Sequence, residues 1–208
     1  MYSPVISLYD QNGQRKYLNQ FERLSFFECT KSRPVHKKLF CQLLYFTGAR
    51  IAEIHNLTTQ NIDFSNQTVV IETLKRRRNG IFREIPLPNL LLEILNSYIN
   101  NIDCNQGEFL SLWKFSLRSA SRYVKDVMVE AGITGVRASS RGLRHGFAVH
   151  SINIAPITLV KKWLGHSSLE TTAIYLNVVG TEEREIAKRV WSHKNKESTD
   201  AFELQTIP

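Results

Sequence analysis

The side chains best suited to chemistry fall in four separated segments. Thr47-Gly48-Ala49-Arg50-Ile51-Ala52-Glu53-Ile54 carries an arginine and a carboxylate three residues apart, and Lys75 opens the basic run Lys75-Arg76-Arg77-Arg78. Arg141-Gly142-Leu143-Arg144-His145-Gly146-Phe147-Ala148 carries two arginines and a histidine, and Leu164-Gly165-His166-Ser167-Ser168 is followed by Tyr175, nine residues after the histidine. Guanidinium groups stay protonated and present a planar fork to paired oxygens of an anion. An imidazole donates a hydrogen bond, and a phenol is among the side chains able to act as a nucleophile. Taken singly, each segment also admits an ordinary role: Arg50 paired with Glu53, His166 capping a helix end, Tyr175 as a half-buried aromatic.

The elements that must position these groups are mostly helical. Residues 1–16 read as a short arm with an Asn12-Gly13 turn signal. From Tyr17 to about Leu57 the chain is largely helical: Leu39, Leu43, Leu44 and Phe46 form an apolar face that Thr47-Gly48 interrupts before Ile51. Thr68–Thr73 (TVVIET) and Arg83–Leu87 (REIPL) are strand-like, and Asn79-Gly80 between them is a hairpin signal. Pro88-Asn89 starts a helix to about Tyr98. Another spans about Ser116–Ala131, with Leu117, Ala120, Val124, Val127, Met128 and Ala131 on one side and Gly132 as its cap. Ser139/Ser140 cap a helix carrying Arg144 and His145, Pro156 starts one that ends at Gly165, and Ser167-Ser168-Leu169-Glu170 reads as a capping box before Tyr175. The fold class is mainly α with a small antiparallel β-sheet (α+β).

Composition narrows the function. The chain has 208 residues, 42% of them apolar, and a net charge of +8. From Thr181 onward five Lys/Arg face six Asp/Glu, which leaves +9 on residues 1–180. A basic body of this kind points first to nucleic acid. The charge is clustered in two places: Lys75, Arg76, Arg77 and Arg78 with Arg83 across the hairpin turn, and Arg118, Arg122 and Lys125 at i, i+4, i+7 on one helix, extended by Lys114. Cations one helical turn apart match successive phosphates of a duplex, so these residues are the candidate DNA contacts. Apolar content excludes wholesale disorder, and no stretch is apolar enough to span a bilayer or to act as a secretion signal. Three widely spaced cysteines (Cys29, Cys41, Cys104) fit reduced thiols in a cytosol. His55, His145, His150 and His166 are not paired with Asp, Glu or Cys at ligand spacing, so no metal is expected.

Together, in this order, the T-G-x-R-x-x-E, x-x-L-R-H and L-G-H-S-S…T-T-x-x-Y segments resemble the catalytic domain of the tyrosine recombinase (phage integrase) family, over about Tyr17 to Val190. The resemblance implies a site-specific recombinase that cleaves and rejoins DNA through a 3′-phosphotyrosine, without metal or cofactor. Arg50 and Arg144 are then the clamp on the non-bridging phosphate oxygens, His166 a further donor, Tyr175 the nucleophile and Lys75 the general acid for the leaving 5′-oxygen. It also implies double-stranded DNA as partner, a homo-oligomer (a tetrameric synapse) on that DNA, accessory DNA-bending proteins and no membrane. The location implied is the cytoplasm, nucleoid-associated, of a bacterium or of the host of a phage or plasmid.

One position departs from the family pattern. The residue three before the second clamp arginine is usually His or Lys, and here it is Arg141, which cannot act as a base near neutral pH. Arg141 can still stabilise charge on phosphate or tyrosinate. Proton removal from Tyr175 then falls to water, to the phosphate or to His145, whose other reading is a structural histidine. This departure keeps a rival open, a DNA-binding accessory or regulatory protein on a recombinase scaffold with weak catalysis; a type IB topoisomerase is a related enzyme reading. Only about 16 residues precede the match, so either the N-terminal core-binding domain is lacking or the sequence is truncated there; we expect a single-domain form with modest, salt-sensitive DNA affinity. The chain divides into an arm (1–16), a catalytic domain (17–180) and a C-terminal helix and tail (181–208). In the tail, Ile186, Ala187, Val190 and Trp191 form a stripe suited to docking on a neighbouring protomer or on the chain's own core.

Overall fold

The computed structural model describes residues 7–74, 80–101, 110–178, 184 and 187–191. Two helices build the first layer, α1 (Gln20–Thr30) and α2 (Val35–Thr47). Asn19 caps α1 by accepting from the Glu22 amide, while the Glu22 carboxylate accepts from the Asn19 amide. Leu39, Phe40, Leu43 and Leu44 of α2 are buried in the main core. Gly48 ends α2 in the left-handed conformation (φ 60°), where a Cβ would lie 2.3 Å from the Phe147 ring. This stop lets the chain turn at once into the short helix α3 (Ile51–His55), with Arg50 at its head.

A three-stranded antiparallel sheet follows in the order β1 (Ile62–Asp63), β2 (Thr68–Glu72), β3 (Phe82–Pro86). β2 and β3 coincide with the two strand-like segments of the sequence; β1 gave no such signal because two residues show no alternation. Val69 pairs with Ile62 and Ile85, and Ile71 pairs with Arg83. Val69, Ile71, Ile85 and Arg83 are all buried, so Arg83 occupies an inward position in β3. That corrects the expectation of Arg83 as a DNA contact on a projecting hairpin. Lys75, Arg76, Arg77 and Arg78, in the connection between β2 and β3, lie outside the described residues.

Further helices among the described residues are α4 (Asn89–Asn100), α5 (Leu117–Glu130), α6 (Ser140–Ile152), α7 (Ile157–Leu164) and α8 (Glu170–Ala173), the last running into a 3-10 turn (Ile174–Asn177). Their starts follow local chemistry. Pro88 and Pro156 stand immediately before α4 and α7, and the Ser116 and Ser139 side chains cap α5 and α6. The capping box expected at Ser167 and Glu170 is displaced by one residue: Ser168 Oγ accepts from the Thr171 amide at 3.4 Å. α8 is a single turn, too short for sequence spacing to fix its register.

A second, smaller core gathers Leu8, Tyr17, Phe147, Ala148, Val160, Leu164, Tyr175 and Val178. It joins the segment before α1 to α6, α7 and the 3-10 turn. Within the described residues no helix is long and apolar enough to cross a membrane.

Candidate active site

Arg50 heads α3, and two contacts to Glu53 orient it. The Arg50 amide donates to Glu53 Oε2 (2.8 Å) and its Nη1 donates to Glu53 Oε1 (2.7 Å). The ordinary pairing considered for Arg50 therefore exists, yet 24% of its side chain stays exposed while that of Glu53 is wholly covered. Glu53 also accepts from Arg83 Nη2 at 2.6 Å. Burial alone would raise the Glu53 carboxyl, but the charge and hydrogen bonds of Arg83, with help from Arg50, leave it below its ordinary value.

Arg83 ties this carboxylate to two other elements. Its Nη1 donates to Thr73 Oγ1 and its Nε to the Trp163 carbonyl, both at 2.8 Å. Gly165, at φ 64°, lies against the same guanidinium, which a Cβ there would approach to 3.0 Å. The base of the β2–β3 hairpin, the head of α3 and the end of α7 thus meet on one side chain. The basic cluster in the sequence had suggested a surface position for Arg83; the alternation Arg83, Ile85, Leu87 was the signal that it faces inward.

Arg144 reaches the same place from α6. It is buried, and its Nη1 and Nη2 donate to the carbonyls of Gly48 (2.8 Å) and Leu164 (2.7 Å). Burial and the neighbouring charge of Arg50 lower its pKa to about 10, which still leaves it cationic near neutrality. His166, buried just past α7, holds Thr172 Oγ1 at 2.9 Å with its Nδ1. Burial and the fields of Arg144 and Arg50 lower its pKa to about 3, so the ring is neutral. The Thr172 hydroxyl can donate to Nδ1, and that direction of the bond leaves the ring proton on Nε2. His166 also lines an open pocket of about 210 Å³ with Thr73, Arg83, Lys161, Lys162 and Gly165.

Tyr175 completes the cluster. It is 2% exposed, not half-buried. Its ring is nearly parallel to that of His166, at 13° with centroids 6.3 Å apart. Its hydroxyl lies 2.8 Å from His145 Nδ1. Burial raises its pKa to about 12 against the opposing pull of Arg144 and Arg50. Arg50, Arg144, His166 and Tyr175 therefore converge, although 125 residues separate the first from the last.

The other expected residues lie at the edge of this cluster, as Arg141 does beside His145, or away from it. Arg141 is exposed on the first turn of α6, and no carboxylate pairs with it among the described residues. Lys114, Arg118, Arg122 and Lys125 are exposed along and just before α5, with Lys125 Nζ 3.4 Å from the Ala138 carbonyl. Glu130, a carboxylate that would dilute this stripe, is paired with Arg33. Thr172 is the second threonine of the T-T-x-x-Y segment, which assigned it no role of its own, and Lys161 and Lys162 carried no signal, since their place beside His166 depends on how α7 meets the hairpin. No group of three metal-ligating side chains occurs among the described residues.

Comparison with known proteins identifies the family and the fold. The family model for the phage integrase family matches residues 15–182. A tyrosine recombinase from Pseudothermotoga lettingae is 35% identical over 147 residues, covering 69% of this chain and 50% of that protein. The tyrosine recombinase XerA of Pyrococcus furiosus is 30% identical over 181 residues, covering 84% of this chain and 61% of that one. The chain thus spans about half to three-fifths of these relatives' length. Among solved structures, XerH bound to palindromic difH in a post-cleavage complex superposes with a TM-score of 0.73 at 22% identity, covering 91% of this chain and 57% of that one. The catalytic domain of bacteriophage HP1 integrase gives 0.59 at 22% identity, covering 83% and 93%. The fold is that of a tyrosine recombinase catalytic domain, and the chain belongs to the phage integrase family.

Proposed function

We propose that this chain is a site-specific DNA strand transferase that cleaves and rejoins DNA through a covalent 3′-phosphotyrosine on Tyr175. The observation that carries the reading is the placement of the Tyr175 hydroxyl beside His145 and the His166 ring, within the field of Arg50 and Arg144. Substitution at a phosphodiester gathers charge on the non-bridging oxygens in the transition state, and preorganised guanidinium donors stabilise it. Arg50 and Arg144 are the clamp, and the Nε2 proton of His166 supplies a further hydrogen bond. Tyr175 Oη attacks phosphorus, the P–O5′ bond breaks, and Lys75 protonates the departing oxygen. Retaining the phosphodiester energy in the phosphotyrosyl bond makes religation independent of ATP. Arg141 stabilises charge on the bound phosphate.

Double-stranded DNA is the substrate, and the exposed cations of α5 follow its phosphates. The related fold of the XerH–difH complexes supports this choice. Strand exchange proceeds in a homo-oligomer, a tetrameric synapse on DNA, aided by accessory DNA-bending proteins in a bacterial cytoplasm. Residues 181–208 exchange between protomers: Val190 and Trp191 are 63% and 66% exposed, as an unpartnered docking stripe requires, while Ile186 lies outside the described residues.

The test is a library of nicked duplexes with randomised sequence, in which cleavage releases a short strand and traps the covalent complex. Wild-type protein should yield adducts that converge on one DNA sequence, and Tyr175→Phe should yield none. Sequence-selective binding with no adduct from wild type would favour the accessory-protein reading that Arg141 leaves open.

A further inference from the structure

Among the described residues, one hydrogen-bond partner meets the Tyr175 hydroxyl: Nδ1 of His145, at 2.8 Å. The other groups nearby are unsuited to take its proton. Glu53 is engaged by Arg50 and Arg83, His166 turns Nδ1 to Thr172, and Arg141 and Arg144 are arginines. Both members of the pair are buried, His145 at 8% and Tyr175 at 2% exposure, so water does not solvate the hydroxyl freely. α6 sets this geometry: Arg144 and His145 are adjacent, so the residue that grips phosphate and the one that meets the phenol share a rigid turn.

We propose that His145 is a catalytic base of this chain, its Nδ1 taking the Tyr175 Oη proton as that oxygen attacks the scissile phosphorus. The inference rests on the reading of Tyr175 as nucleophile. The Oη–P bond forms, the P–O5′ bond breaks, the phenolic proton passes to His145 Nδ1, and the leaving 5′-oxygen takes its proton from the general acid. During religation the imidazolium returns the proton to Oη. The tautomer required carries its proton on Nε2. His145 thereby fills the task that the arginine at position 141 cannot perform.

The charged and titratable groups facing His145 are Arg141 and Arg144 from its own helix, Lys16 from the segment before α1, His166 from beyond α7, and Tyr175. Burial first, then Arg144, Arg141 and Lys16, lower its pKa to about 4, so the ring is neutral and ready to accept. A phosphate seated on Arg50 and Arg144 offsets part of this cationic field and raises the proton affinity of His145 when the proton must move.

The experiment is single-turnover adduct formation on the duplex selected by wild-type protein, from about pH 5.5 to 9.5. His145→Asn keeps an acceptor oxygen near the Nδ1 position but binds no proton. We expect the wild-type rate to be level through the neutral and alkaline range, falling only toward the acidic end where His145 takes up a proton. His145→Asn should be slower at neutrality by on the order of 10²- to 10⁴-fold, climbing about tenfold per pH unit without levelling. Adding Arg141→His to His145→Asn should recover activity and restore a plateau.

Three results overturn the proposal: a His145→Asn rate within about threefold of wild type, a slow variant that keeps the wild-type plateau, or a wild-type rate that never levels. The last needs no variant and decides the matter even where His145→Asn fails to fold. Absence of any wild-type adduct would instead remove the strand-cleavage reading itself, and this proposal with it.

Discussion

Glu53 and Arg83, thirty residues apart in sequence, form a buried ion pair at 2.6 Å, and the same carboxylate holds Arg50 at 2.7 Å. A residue expected to touch DNA is thus a positioning residue for Arg50, which we propose as one half of the phosphate clamp. Through Thr73 and the Trp163 carbonyl it also fixes the hairpin base and the approach to His166. An Arg–Glu–Arg arrangement is costly to desolvate, and removing one member leaves a buried charge uncompensated.

Arg83→Met should therefore lower stability by about 3–5 kcal/mol at neutral pH, measured by urea unfolding. The sign with pH follows from Glu53, whose folded-state carboxyl titrates below its ordinary value. Its stabilisation is present above the unfolded-state value and is lost as pH falls through the folded-state one. The gap between wild type and Arg83→Met should therefore narrow in acid. Equal stability at neutrality would mean that the pair does not organise the site.

Thr172→Val removes the hydroxyl that directs the His166 tautomer while keeping the side-chain shape. A lost buried hydrogen bond costs about 1–3 kcal/mol, so adduct formation should slow by roughly five- to 150-fold with DNA affinity unchanged. Thr172→Ser should retain most of the rate, and failure of Ser to rescue would show that the methyl group matters instead.

The α5 cations make a salt prediction. Replacing Arg118 and Arg122 by Ala should weaken DNA binding uniformly across sequences. The slope of log affinity against log salt should shrink by about 0.9 for each phosphate that the variant no longer neutralises. Titration at three salt concentrations reads this directly, and an unchanged slope would take α5 off the DNA.

The exposed tail stripe predicts a defect confined to assembly. Trp191→Asp should leave the unfolding midpoint and single-site DNA binding near wild type while reducing higher-order complexes on two-site DNA, followed by gel mobility or sedimentation. A lowered unfolding midpoint would indicate that Trp191 packs on its own chain.

Much of the fold was legible because its punctuation is local. Pro88 and Pro156 before helices, Ser116 and Ser139 at caps, and Gly48 and Gly165 at helix ends each act within a few residues. Where the structure differed, the cause was long-range or the element was very short. Nothing near Arg83 in sequence announces Glu53 or the Trp163 carbonyl, although its inward alternation with Ile85 and Leu87 was visible. β1 and α8 are too short for periodicity to register. The four segments suggested a common site, but the contact between His145 and Tyr175 depends on how the 3-10 turn settles against α6, which no spacing encodes.

The most direct test of the central claim is mass spectrometry of protease-digested protein after reaction with its selected nicked duplex. We expect the peptide containing Tyr175 to carry a 3′-linked nucleotide, absent in Tyr175→Phe and strongly reduced in Arg144→Lys, where a point charge replaces the planar fork. A nucleotide attached to any other residue, or an adduct that persists in Tyr175→Phe, would contradict it.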